Sequence, residues 1–344
     1  MTANIEFVTA ADLEQQGPTG EAAATVSGLI YNGALTAVVG KPKIGKTLLL
    51  LHMCLCVLDG THFLGRATTK RNVVYLTEQG EASFRAQLKA VGLLGRADFH
   101  ILFKGKVWGA KWLQIARAAA KKARSVDGLL VVDTLAIFAG LHGDEENLTG
   151  PMLEALEPLQ IAASVGEVPV VVLHHERKSG GDVSDSGRGS SAFTGAMDTI
   201  ITVRHPEGNP KPTMRRIEGL SRFGEVPDEI VELTEHGYAG RGDAGDIERA
   251  SAKTRLLALI PDAPKEVMRT ELFRQLQGEG FKHTTLGDAL KQLVAEGKVG
   301  QETKAGKGQP LALSKPVIHL AALKKRVPVK SKKRAGKNNG STTK

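Results

Sequence analysis

Eight consecutive residues, Gly40–Lys41–Pro42–Lys43–Ile44–Gly45–Lys46–Thr47, fit the pattern G-x-x-x-x-G-K-[ST]. Those residue types at that spacing suit the binding of phosphate. The glycines let backbone N–H groups curl around an anion, and a helix starting at the end of the loop adds its positive pole. The lysine reaches β- and γ-phosphates, and the hydroxyl after it coordinates Mg²⁺. Lys46 and Thr47 take those places here. Lys41 and Lys43 fall in the variable part of the loop and read as solvated. The plainer alternative is a glycine-rich turn with no ligand. The flanking segments favour the first reading, since the apolar run Leu35–Val39 precedes the loop and an apolar helical run from Leu48 follows it.

Three further apolar runs end in polar residues. Leu129–Val132 ends in Asp133, and buried parallel strands place their C-terminal residues at the ligand edge of an α/β sheet. Asp133 is therefore the candidate second metal carboxylate. Val73–Leu76 leads through Thr77 to Glu78, the candidate general base for water, with Glu81 as the next-best carboxylate. Val170–Leu173 ends in His174 and His175. One of the pair is expected to pack structurally, and His175 is favoured as the one facing phosphate or water. His52, on the helix after the loop, reads as an ordinary packed histidine. After His175 comes the polar Gly/Ser stretch 177–191, whose Lys178 and Arg188 are candidates for touching nucleic acid. A simple solvated loop is the alternative.

Elements must position these groups. Residues 1–24 are a weakly patterned leader. From 25 to 240, Val/Leu runs (Leu35–Val39, Val73–Leu76, Leu129–Val132, Val168–Leu173, Thr199–Val203) alternate with amphipathic segments (Leu48–Leu58, Ala82–Val91, Lys111–Ala123, Met152–Val165). That alternation predicts a parallel sheet covered on both faces. Beyond Arg204, Pro206, Pro210 and Pro212 break the pattern, and an antiparallel extension is expected. Gly237–Gly245 reads as linker, placed at 241–250. Residues 251–316 predict a separate small domain with helices Ser251–Ile260, Thr270–Leu276 and Thr285–Glu296 and strands Lys298–Thr303 and Gln309–Leu313. That is the order of a winged helix. Its third helix would offer Thr284, Lys291 and Gln292 to a groove, and its wing Lys304 and Lys307. A protein–protein module is the alternative.

The 344 residues carry a net charge of +9, but the last 22 hold nine basic residues and no acid. Without them basic and acidic residues balance at 37 each. The basic character thus belongs to a tail, 317–344, expected to be disordered and either solvated or in contact with nucleic acid. The only cysteines, Cys54 and Cys56, exclude a disulfide framework and read as small buried hydrophobes. The N-terminus has no apolar core of a signal peptide, and the longest apolar run is too short to span a bilayer. A cytoplasmic protein is expected.

Taken together, PKIGKT, YLTEQGE, VVDTLAIF with DEEN after it, VVVLHHERK and GRGSSAFTGAMDTII resemble, in this order, RecA-fold P-loop ATPases of the plasmid RepA type, relatives of the DnaB-like replicative helicases. The resemblance covers about residues 25–240. It implies a RecA-like parallel-sheet core, ATP and Mg²⁺ as ligands, and a homo-oligomer, often a hexamer, that binds single-stranded DNA. It implies roles for Lys46, Thr47, Glu78, Asp133 and His175 as above. Arg222 in Leu220–Ser221–Arg222–Phe223–Gly224 matches an arginine finger that reaches the neighbouring subunit's ATP, with Arg188 and Arg204 as rivals and a salt bridge on a hairpin as the plainer alternative. Leu220 stands where that family has a lysine. The expected function is a DNA-dependent ATPase, in first place a replicative helicase of a plasmid, phage or mobile element. A recombination or clock-type ATPase and an ATP-switched DNA-binding regulator are the alternatives.

Overall fold

The computed structural model describes residues 7–15, 23–176, 191–305 and 311–316. Lys178, Arg188, Lys307 and the basic tail lie outside the described residues. The chain divides into two compact units, Met1–Ser251 and Ala252–Lys344.

The first unit opens with a short helix, α1 (Ala10–Gln15), and an antiparallel pair, β1 (Ala24–Val26) and β2 (Ile30–Tyr31). The main elements follow: β3 (Leu35–Gly40), α2 (Lys46–Asp59), β4 (Asn72–Thr77), α3 (Glu81–Val91), β5 (Phe99–Phe103), α4 (Trp112–Ser125), β6 (Gly128–Asp133), α5 (Leu135–Ala139), α6 (Thr149–Ser164), β7 (Val170–His175), α7 (Ser191–Ala196), β8 (Thr199–Arg204), β9 (Met214–Ser221), β10 (Glu229–Thr234) and β11 (Gly237–Asp243). Strands β3 to β11 build one sheet in the order β11-β10-β9-β8-β3-β7-β6-β4-β5. From β8 to β5 it is parallel, and β9 to β11 extend it antiparallel.

The inner parallel strands β3, β4, β6 and β7 are buried on both faces, which is why their sequences are rich in Val, Leu and Ala. Alternate residues serve opposite layers. Val38, Tyr75, Val131 and Leu173 pack with α2 and α3, while Ala37, Val74, Val132 and Val172 pack with α4 and α6. The edge strand β5 went unforeseen, because polar His100 interrupts a short run whose side chains are only partly buried at the sheet edge.

One expectation is corrected. The segment read as a linker, Gly237–Gly245 and on to 250, is strand β11 followed by helix α8 (Ala244–Leu259). Its glycines suggested flexibility, but β10 supplies a full set of backbone partners from Glu229 to Thr234, and that pairing outweighs the low strand preference of glycine. The unit boundary falls inside α8.

The second unit contains the last turns of α8, then β12 (Val267–Met268), α9 (Arg269–Gly278), α10 (His283–Ala295), β13 (Gly300–Thr303) and β14 (Leu311–Ser314). The three strands form an antiparallel sheet in the order β12-β14-β13. In α10, Leu286, Ala289, Leu290 and Leu293 recur at helical spacing and form the buried stripe. They meet Leu272, Phe273 and Leu276 of α9 and Leu313 of β14 in a separate core. The helix begins at His283, two residues before the expected start at Thr285, with Lys282 in the capping position.

Candidate active site

Register brings the candidate residues to one edge. Gly40 pairs with His175, and Thr77 pairs with Asp133. The C-terminal ends of β3, β7, β6 and β4 are neighbours in that order, so the loop after β3, His175, Asp133 and Glu78 line the same rim of the sheet. This is where doubly wound sheets hold ligands.

The loop from Gly40 to Thr47 depends on its two glycines. A Cβ on Gly40 would lie 2.5 Å from the Val203 carbonyl oxygen of β8, so the strand can approach only a glycine there. Gly45 adopts φ 101°, a left-handed conformation that costs glycine little. Helix α2 then starts at Lys46. Lys41 and Lys43 are exposed.

Lys46 is 5% exposed. Its ammonium donates to the carbonyl oxygens of Gly40 at 2.7 Å and Lys41 at 3.0 Å, and to His175 Nδ1 at 3.2 Å. Burial lowers its pKa to about 8, opposed by the carboxylates of Asp133, Glu176 and Glu78. The pole of the loop is thus a desolvated cation, which binds an anion more strongly than a hydrated one does.

Thr47 Oγ1 donates to Asp133 Oδ2 at 2.8 Å, and the Tyr75 hydroxyl donates to the same oxygen at 2.9 Å. Asp133 is 3% exposed, and burial raises its pKa. No group of three or more His, Cys, Asp or Glu among the described residues could hold a metal alone. A hydroxyl and a carboxylate at a phosphate loop nevertheless fit Mg²⁺, which takes one or two protein oxygens and completes its shell with phosphate and water. The Thr47 proton is committed to Asp133, so the hydroxyl lone pairs are free for a cation.

Glu78 lies just beyond β4 and is exposed. Its Oε2 accepts the Thr134 hydroxyl at 2.6 Å and the Thr134 amide at 3.4 Å, so it is held beside Asp133 while the rest of the carboxylate is accessible. Glu81, the alternative, is tied in an ion pair to Lys106 at 2.8 Å.

The two histidines of β7 part company, as alternate strand residues must. His175 faces Lys46, and burial together with that ammonium lowers its pKa. His174 is 3% exposed, stacks on Phe193 with centroids 4.4 Å apart, and is pushed down to about 4 by burial. A histidine depressed in the folded state stabilises it above the unfolded pKa of about 6.5, and that contribution is lost as pH falls towards 4. Denaturant titrations at pH 7 and pH 5 are therefore expected to show an acid destabilisation that is about 2 kcal/mol smaller in His174→Gln than in the parent. An equal loss in both proteins refutes this.

Four residues beyond those foreseen belong to the rim: Tyr75, Thr134, Glu176 and Arg215. Arg215 of β9 donates through Nε to the Ile44 carbonyl, clamping the loop from the antiparallel extension. Tyr238 approaches Gly45 from the same side, and its ring meets His52 edge-on. Glu176 follows His175 in HHERK and starts a run of ion pairs. It binds Arg204 at 2.8 Å, Arg204 binds Glu218 at 3.1 Å, and Glu218 binds Arg216 at 3.3 Å. Arg216 then binds Asp228 at 2.6 Å and Glu248 of α8 at 2.9 Å. The three charged residues after the histidines in HHERK were the one sequence signal for Glu176. Nothing in the proline-broken stretch before Arg215 marked it.

Arg222 is far from its own loop. It follows β9, whose Ser221 pairs with Thr199 at the start of β8, the opposite end of the sheet from Gly40. It donates to Asp198 at 3.2 Å and to the Gly195 carbonyl at 2.8 Å. In the second unit Lys291 and Gln292 are exposed on α10, while Lys304 is engaged by Glu266 and Glu302, each at 2.9 Å. Cys54 and Cys56 are free thiols whose pKa values burial raises. No helix of the described residues is long and apolar enough to cross a membrane.

A model of a family described as AAA domain matches residues 2–181, just over half of the chain. Among solved structures, one titled as the crystal structure of the RadB recombinase is similar at 21% identity, over 60% of this chain and 90% of that one, with a TM-score of 0.42.

Proposed function

The chain belongs to the AAA domain family, with a RecA-like, mainly parallel sheet and a P-loop, and from that premise we propose that it is an oligomeric, DNA-dependent ATPase. The observation that carries the reading is the convergence on one rim of Lys46, the Thr47–Asp133 pair, Glu78 and His175. Residues Gly40–Thr47 wrap the phosphates of ATP, with Lys46 on the β- and γ-oxygens. Thr47 and Asp133 hold Mg²⁺, which when bound draws charge off the phosphate oxygens. Glu78, oriented by Thr134, takes the proton of the attacking water. His175, neutral and bonded to Lys46, touches the water or γ-phosphate and feels the change on hydrolysis.

Arg222, at the opposite end of the sheet from its own loop and paired there with Asp198, is proposed to reach another subunit's nucleotide in a ring, of six subunits in the helicase reading. The second unit, with three helices and a three-stranded sheet, is proposed to be a winged helix that meets duplex DNA through α10. Lys178, Arg188, Lys307 and the basic tail are further proposed DNA contacts. Within this class a replicative helicase of a plasmid, phage or mobile element is the leading member.

ATPase rate with and without single-stranded DNA, on protein sized by light scattering, tests the proposal. A multimer whose turnover rises at least about tenfold with DNA is expected. A slow, unstimulated enzyme is instead an ATP-switched regulator. DNA stimulation with strand exchange in place of fork unwinding makes it a recombination ATPase.

A further inference from the structure

We propose that Tyr75 is a positioning residue for the metal half of this site, an inference that rests on the ATP·Mg²⁺ reading above. The tyrosine touches neither nucleotide nor cation. It acts by fixing the carboxylate that aims the Thr47 hydroxyl.

Tyr75 lies on β4, next to β6, with Val131 as its register partner. Its side chain is fully buried in the layer that packs against α2 and α3. The ring is held between Phe84 of α3, with centroids 5.3 Å apart, and Phe99 of β5, 5.7 Å apart. Packing alone would be satisfied by phenylalanine. The phenol instead delivers its proton to Asp133 Oδ2, the oxygen that also accepts from Thr47.

Two hydroxyl donors on one carboxylate oxygen have a directional consequence. Each restricts rotation of the carboxylate, and together they assign Oδ2 to the protein and turn Oδ1 away from it. Thr47 can leave its lone pairs to a cation only while its proton has a fixed acceptor. Without the phenol, the Asp133 carboxylate turns on a single remaining donor, and the Thr47 hydroxyl loses its fixed acceptor. Groups that orient metal ligands from behind typically contribute 10–100-fold in metal affinity. The Tyr75 hydroxyl is spent on Asp133 and bonds to no group of the Gly40–Thr47 loop, so metal-free nucleotide binding has no reason to change.

The test uses full-length Tyr75→Phe and a fluorescent ATP analogue. Binding is titrated with Mg²⁺ and, by electron paramagnetic resonance, with Mn²⁺, and is repeated in EDTA. The half-saturating metal concentration is expected to rise about 10–100-fold, while the metal-free affinity for the analogue stays within about twofold. A metal affinity within about threefold of the parent overturns the proposal. Failure of the ATP·Mg²⁺ reading looks different, because then the parent binds no better than Lys46→Ala, or binds with no response to metal.

Should Tyr75→Phe not fold, a second measurement leaves the side chain whole. The chain has three tyrosines, so 3-fluorotyrosine labelling gives three ¹⁹F resonances, assigned with Tyr31→Phe and Tyr238→Phe. The Tyr75 resonance is expected to shift when Mg²⁺ is added to nucleotide-loaded protein and to stay in place when nucleotide binds in EDTA. A resonance indifferent to Mg²⁺ overturns the proposal.

Discussion

Lys46→Ala is expected to lower ATP turnover by at least 10²–10³-fold, the loss on removing a single donor from a charge-stabilising site, and to leave the fold in place. The first half follows from the desolvated ammonium at the mouth of the loop, the one cation there that is both buried and aimed between Gly40 and His175. The second half follows from what the lysine leaves behind. The Gly40 carbonyl also accepts the Glu176 amide at 3.1 Å, and the Lys41 carbonyl also accepts the Ile44 amide at 3.3 Å, so neither is orphaned. Burial already disfavours the charge, and its removal relieves that cost. A thermal midpoint within about 4 °C of the parent, roughly 1 kcal/mol in a chain of this size, is expected alongside the lost activity. Near-normal turnover in the variant would remove the phosphate-loop assignment altogether.

Glu78→Gln separates binding from chemistry. Glutamine keeps a carbonyl oxygen for the Thr134 hydroxyl, so the side chain stays beside Asp133, but it cannot take a proton. Turnover is expected to fall at least about 100-fold, the lower end of general-base contributions, with affinity for the ATP analogue unchanged. A fall of less than tenfold would transfer the role elsewhere on the rim. Single-turnover kinetics distinguishes this from slow product release.

The parallel half of the sheet was legible because burial on both faces writes itself into composition. Runs such as Leu129–Val132 admit few other readings, and their polar ends, Asp133 and His175, mark the ligand edge. Strand alternation separates the two histidines, but that His175 is the one beside Lys46 comes from the pairing of β7 with β3. Less visible was anything produced by two distant segments meeting. The burial of Lys46 could not be read locally, because His175 of β7, 129 positions away, meets its ammonium. Tyr75 looked like one apolar residue among the four of Val73–Leu76, since nothing local shows that a carboxylate 58 positions later stands opposite its hydroxyl. Gly237–Gly245 misled because glycine content reports backbone freedom, whereas the pairing offered by β10 decides the outcome.

The ion pairs from Glu176 through Arg204, Glu218 and Arg216 to Glu248 constrain how this chain can change over generations. Stranding one member of such a partly buried pair leaves the other charge desolvated without its partner, whereas replacing matched members by apolar residues can be neutral. Single drift at any of these positions is therefore selected against, and the route between two workable sets crosses an unstable intermediate. Relatives of this chain should keep the whole set or lack it together, and a double exchange at Glu176 and Arg204 should be better tolerated than either exchange alone.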